Sequence, residues 1–135
     1  MSDLAKSLIK KHEGLRLKPY RCTAGKLTIG YGRNLDDRGI SLAEAEYLFD
    51  NDFREVEAQA RTLVSNFAQL SENCQAVLID MTFNMGIEGM RKWVNTLAFI
   101  EKGDFKAAAY NMSRSLWAKQ VPNRAKELIK IMEEG

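Results

Sequence analysis

Leu4, Leu8 and Ile9 recur at helical spacing among lysines, so residues 3–12 are predicted to form an amphipathic helix. Gly14 follows where a glycine can close a helix end. The period then changes. Leu27-Thr28-Ile29-Gly30-Tyr31 alternates as a strand does, Thr23-Ala24-Gly25-Lys26 has the composition of a turn, and Pro19, Gly25, Gly30 and Gly32 punctuate the segment. A small hairpin or short three-stranded sheet is predicted there, followed by only a short loop between Asn34 and Ser41. Helical spacing returns after Ser41-Leu42-Ala43-Glu44, a capping box, and Leu42, Ala45, Phe49, Phe53, Val56, Ala60 and Leu63 make a long apolar stripe. Val77, Leu78, Met81 and Met85 predict a helix over residues 72–85 closed by Gly86. Trp93, Leu97, Phe99 and Ile100 predict another that ends at Gly103, and the alanine-rich residues 104–112 a short one packed closely on a neighbour. Pro122 suits a first helical turn, after which Ala125, Leu128, Ile129 and Met132 supply a buried face. No repeat or low-complexity linker interrupts residues 1–135. The expectation is a single domain of α+β class, a mostly helical body with a small N-terminal sheet lobe.

A chain of 135 residues buries about two-thirds of its unfolded surface, enough for a core without covalent staples. Its 20 basic and 18 acidic residues leave a net charge of +2, which argues against a nucleic-acid partner. Cys22 and Cys74 form no disulfide framework and no zinc spacing, and His12 is the sole histidine, so neither metal nor other cofactor is expected. The N-terminus, Met1-Ser2-Asp3-Leu4-Ala5-Lys6, carries no apolar run suited to a signal peptide or membrane anchor. A monomer made in the cytoplasm, without stable membrane association, is expected.

The chemistry concentrates after the first helix, where Glu13 ends the helix and a glycine-bounded hairpin follows at once. Hydrolysis of a glycosidic bond needs one protonated carboxyl to donate to the leaving oxygen and a second group to activate water or attack the sugar. Glu13, eight residues, Cys22, five residues and Thr28 fit the Glu–Asp/Cys–Thr signature of the T-even phage-type lysozymes or endolysins, glycoside hydrolase family 24, which this chain resembles. The likeness extends through Glu13-Gly14-Leu15-Arg16-Leu17-Lys18, Thr28-Ile29-Gly30-Tyr31-Gly32, Asn84-Met85-Gly86, Trp93-Val94-Asn95-Thr96-Leu97 and Pro122-Asn123-Arg124-Ala125. It implies a lysozyme-like fold with the active cleft between hairpin lobe and helical body. It also implies cleavage of the β-1,4 link from N-acetylmuramic acid to N-acetylglucosamine in peptidoglycan. On the resemblance, Glu13 is the general acid, Cys22 stands where many relatives have an aspartate, and Thr28 helps hold the attacking water. Phe83, Thr96 and Asn111 align with sugar-contacting positions, and Arg124 pairs with Glu13 or braces its helix end. Asn34 replaces an apolar contact and is left out of the site. The setting implied is a phage or prophage lysis protein, held in the host cytoplasm until a membrane pore releases it to the wall.

Cys22 admits two chemical roles: its thiol or thiolate orients a water, the reading favoured here, or it attacks the sugar directly. Lys18, Lys26 or Arg33 would lower its pKa and a charged Glu13 would raise it. Trp93 and Trp117 read as packing rather than as a sugar platform, and Cys74 as structural. A functional alternative is a cell-wall-binding module on the same fold that has lost turnover, with Cys22 as the sign of that loss. A helical interaction or nucleic-acid module is the weakest of the three readings.

Overall fold

A twelve-residue helix, α1 (Ser2–Glu13), opens the computed structural model, which describes residues 2–135. The chain divides into two units, one ending at Leu48 and the other spanning Phe49–Gly135. In the first unit, Gly14 takes a positive φ of 73° and its amide donates to the Lys10 carbonyl at 2.9 Å, which ends α1. Strands β1 (Arg16–Arg21), β2 (Leu27–Gly30) and β3 (Arg33–Asn34) follow as an antiparallel sheet in the order β1-β2-β3. Tyr20 faces Thr28 and Arg21 faces Leu27, with a register shift between Arg16 and Tyr20. The predicted turn closes β1 onto β2. The Gly25 amide donates to the Cys22 carbonyl at 2.8 Å, and the Cys22 amide donates to the Lys26 carbonyl at 2.9 Å.

The stretch expected to be a plain loop is more ordered than that. It contains a four-residue helix, α2 (Leu35–Arg38), whose N-cap is Asn34, the side chain accepting from the Asp37 amide at 3.0 Å. Two carboxylates on α2 fasten it to the hairpin: Asp36 accepts the Leu27 amide at 2.8 Å, and Asp37 meets Lys26 Nζ at 3.1 Å. The capping box forms reciprocally, with the Glu44 amide donating to Ser41 Oγ at 3.1 Å and the Ser41 amide to Glu44 Oε1 at 2.8 Å. It starts α3 (Leu42–Ala60), within which the division between the units falls. This helix stops short of Leu63, whose amide turns back to the Ala60 carbonyl.

In the second unit a 3-10 turn (Phe67–Gln69) precedes α4 (Glu72–Met85), α5 (Ile87–Arg91), α6 (Val94–Glu101), α7 (Phe105–Ser113), α8 (Leu116–Gln120) and α9 (Pro122–Glu134). The predicted helices are present; the 3-10 turn, α5 and α8 are too short to show a hydrophobic period. Ser71 caps α4 by accepting from the Cys74 amide, Asp104 caps α7 from the Ala107 amide, and Gly86 ends α4 at φ 82°. The core collects Val77, Leu78, Met81, Ile100, Met112 and Met132, all fully enclosed. Ala108 and Ala109 let α7 lie close against α6 and α9. Trp117 is buried, meets Trp93 edge to face at 5.6 Å and donates from Nε1 to Asn84 Oδ1 at 2.8 Å, as a packing role requires. Among the described residues no helix is long and apolar enough to cross a membrane.

Candidate active site

Glu13 is the last residue of α1, and its carboxyl rests against bare backbone. A Cβ added at Gly32 would stand 2.5 Å from Glu13 Oε2 and 2.9 Å from its carboxyl carbon, closer than real side chains approach. Gly32 also has φ of 77°, a conformation that other residues adopt only under strain. The backbone conformation is what requires glycine there, and the absent side chain leaves room for the exposed, flexible end of Glu13, which a methyl would push aside. Sequence reading noted Gly32 as turn punctuation and missed this contact, because nothing in a glycine's neighbours announces what approaches its missing side chain.

Cys22 and Thr28 meet at the Lys26 carbonyl. The Cys22 amide donates to that oxygen at 2.9 Å, and Thr28 Oγ1 donates to it at 2.9 Å. Thr28 is buried, whereas Cys22 is half-buried at the head of the turn. The Cys22 thiol is held below its ordinary pKa, chiefly by the Lys26 backbone amide and next by that of Ala24; partial desolvation opposes them. The sequence-based expectation of Lys18, Lys26 or Arg33 side-chain charges as the cause, with Glu13 opposing, is corrected here. Turn amides dominate because the hairpin folds them onto the sulfur. A hydroxyl has one proton and two lone pairs, so a Thr28 proton committed to Lys26 leaves the oxygen able to accept from another group.

Arg33, just past Gly32, forks onto the Glu44 carboxylate through both terminal nitrogens, and Nη1 also donates to the Gly39 carbonyl at 3.0 Å. This fork ties β3 to the start of α3. It pulls the Glu44 carboxyl down from 4.5 to about 2, with the Ser41 amide helping. Sequence reading saw Glu44 as a cap and did not foresee its second partner.

The positions proposed for sugar contact lie in the second unit and divide between two cavities. Thr96 and Asn111 share one of about 380 Å³ with Trp93, Asn95, Arg114 and Ser115. Phe83 lines another, of about 390 Å³, where its ring lies 5.8 Å from Phe49. Arg124 lines that second cavity too, and its Nε donates to Asp80 Oδ1 at 2.7 Å. The acid that Arg124 engages within its own unit is thus Asp80 of α4, which sequence reading did not single out. Among the described residues, no three His, Cys, Asp or Glu side chains are grouped to hold a metal.

Comparison with known sequences matches residues 10–131 to the family described as Phage lysozyme. The chain is 28% identical over 165 residues to a probable T4-type lysozyme 2 of Dictyostelium discoideum, covering 100% of this chain and 96% of that protein. It is 31% identical over 127 residues to an endolysin of Acyrthosiphon pisum secondary endosymbiont phage 1, covering 91% and 83% respectively. A pre-baseplate central spike protein of Enterobacteria phage T4 is 25% identical over 156 residues, but there the similarity spans only 27% of the relative.

Proposed function

This chain belongs to the phage lysozyme family and is a glycoside hydrolase, and from that premise we propose that it cleaves the β-1,4 bond between N-acetylmuramic acid and N-acetylglucosamine with Glu13 as general acid. The observation that carries the assignment is the seating of the Glu13 carboxyl against the bare backbone of Gly32. A methyl at that position would occupy the carboxyl's place, so the glycine leaves the acid room beside the hairpin without a competing side chain.

In the proposed reaction Glu13 protonates the leaving oxygen while a water attacks the anomeric carbon. Thr28, its own proton on the Lys26 carbonyl, accepts a hydrogen bond from that water. Cys22, as thiolate, takes the proton the water loses, so the two protons move in opposite senses and only water is consumed. Amide donors around the sulfur favour this role because they stabilise its charged form. Thr96, Asn111 and Phe83 contact sugar in the second unit, with Arg124 as a supporting residue. The biological setting proposed is a phage or prophage lysis enzyme that reaches the wall through a membrane pore.

The test is turbidity loss of Gram-negative cells stripped of outer membrane. Wild type should clear them, and Glu13→Gln should lose about 10²- to 10⁴-fold in rate, the usual worth of a general acid. Cys22→Ser should clear slowly, and intact-mass spectra of trapped wild type should lack a sugar–sulfur adduct. Wall binding by wild type without clearing would instead establish a binding module that has lost turnover.

A further inference from the structure

A cavity of about 680 Å³ lies in the first unit, lined among others by Tyr31, Gly32, Arg33, Arg38, Glu44 and Tyr47. It shares Gly32 with the seat of Glu13 but is otherwise built of residues that the proposed hydrolysis does not use. Its two arginines differ. Arg33 is committed to Glu44 and Gly39, whereas Arg38, at the end of α2, is exposed and forms no ion pair or side-chain hydrogen bond among the described residues. The cavity's lining therefore carries two positive charges and one negative one, and the unmatched charge is on Arg38. Tyr31 and Tyr47 are also largely exposed, at 43% and 69%, beside Ile40 and Leu48; the Lys10 ammonium lies over one face of the Tyr31 ring at 5.1 Å, and Tyr47 offers the more open surface.

A free guanidinium presents a planar fork that suits a carboxylate, and tyrosine faces with aliphatic neighbours suit a peptide backbone and short apolar side chains. We propose that this cavity is a second recognition site on the chain, one that holds a carboxylate-bearing peptide through Arg38. The assignment rests on the peptidoglycan reading, since that polymer carries short acidic peptides on its sugars. The site would then read the peptide branch of the substrate, separately from the sugar chain that is cut.

Binding can be measured by calorimetric titration of the full chain with three soluble ligands: a disaccharide bearing its acidic tetrapeptide, the same compound with its carboxylates amidated, and the disaccharide alone. The acidic ligand should bind about fivefold or more tightly than either of the others, the scale of one charge-assisted contact at an open site. Arg38→Gln should remove that preference and Arg38→Lys should restore part of it, while unchanged thermal unfolding shows that both variants are folded. Equal affinity for acidic and amidated ligands, or a preference that survives Arg38→Gln, would overturn the proposal. Binding is scored apart from turnover. A chain that shows the Arg38-dependent preference but clears no cells keeps this site and loses the hydrolase mechanism, and clearing without the preference does the reverse.

Discussion

Every buried apolar residue among those described lies between Ala60 and Met132, whereas the unit ending at Leu48 buries a single residue, Thr28, and that one is polar. The second unit is organised by burial of apolar side chains, with caps such as Ser71 and Asp104 fixing where each helix begins. The first unit is organised by polar links between neighbours in sequence: Asp36 to the Leu27 amide, Asp37 to Lys26, Arg33 to Glu44, and Thr28 to Lys26. The same contrast separates the two cysteines. Cys74 is fully enclosed in the core, while Cys22 stands half-open at a turn whose amides favour its thiolate. Stability and chemistry are thus assigned to different kinds of structure, and substitutions in the two units should fail in different ways.

The largest stability effect is expected from the core. Met112→Ala removes a fully buried side chain from α7 and should cost about 2–5 kcal/mol. Urea or thermal unfolding would measure it, and the rate of wall clearing per folded molecule should stay at the wild-type level. A large loss of rate in a sample shown to be folded would break the separation between the units.

Next in size is a pair of glycines with nearly the same φ. Gly32 has φ of 77° and Gly103 has φ of 78°, so alanine at either should destabilise by about 1–2 kcal/mol through left-handed strain. Only at Gly32 does the new methyl meet a carboxylate; at Gly103 nothing lies within 4 Å. Gly32→Ala should therefore lose about 100-fold in clearing rate as well, the effect of displacing a reacting group by an ångström, while Gly103→Ala keeps its activity. Equal rates in the two variants would remove Gly32 as the seat of the acid.

This contrast also explains how far the sequence could be read. Helical spacing and caps located α3, α4, α6, α7 and α9, since a hydrophobic stripe records burial directly; the capping box at Ser41 formed as its residue types suggest. The spacing from Glu13 to Cys22 to Thr28 marked the hairpin as the region of interest. What stayed hidden was contact between residues that carry no periodic signal: Gly32 against Glu13, Asp80 against Arg124, Asp36 against the Leu27 amide. Polar links of this kind depend on where the backbone goes, and a two-residue strand or a four-residue helix such as α2 is too short to be seen as a pattern.

A smaller effect concerns alkylation. In folded protein, iodoacetamide should modify Cys22 and spare Cys74, with the midpoint for Cys22 below that of a free thiol because the Lys26 and Ala24 amides favour the thiolate. Modification of Cys74 at a comparable rate would mean that the second unit opens far more readily than its packing implies.

The smallest effect tests whether the polar links of the first unit contribute to stability at all. Glu44 has a folded pKa of about 2 against an ordinary 4.5, chiefly because Arg33 donates to its carboxylate. A depressed carboxylate stabilises the fold above the unfolded pKa and loses that contribution as pH falls through the folded one, so the window runs from about pH 4.5 down to about 2. Since the Glu44 side chain is 42% exposed, solvent screening leaves the pair contributing far less than the full value of the shift. Glutamine can still accept the Ser41 amide in the capping box but cannot pair as an anion with Arg33. Thermal unfolding of wild type and Glu44→Gln should therefore differ at pH 6, converge as the pH is lowered through that window, and differ less in high salt. A gap that is flat with pH would mean that Glu44 acts through its cap alone, leaving the sheet of the first unit to be held to α3 by neutral hydrogen bonds.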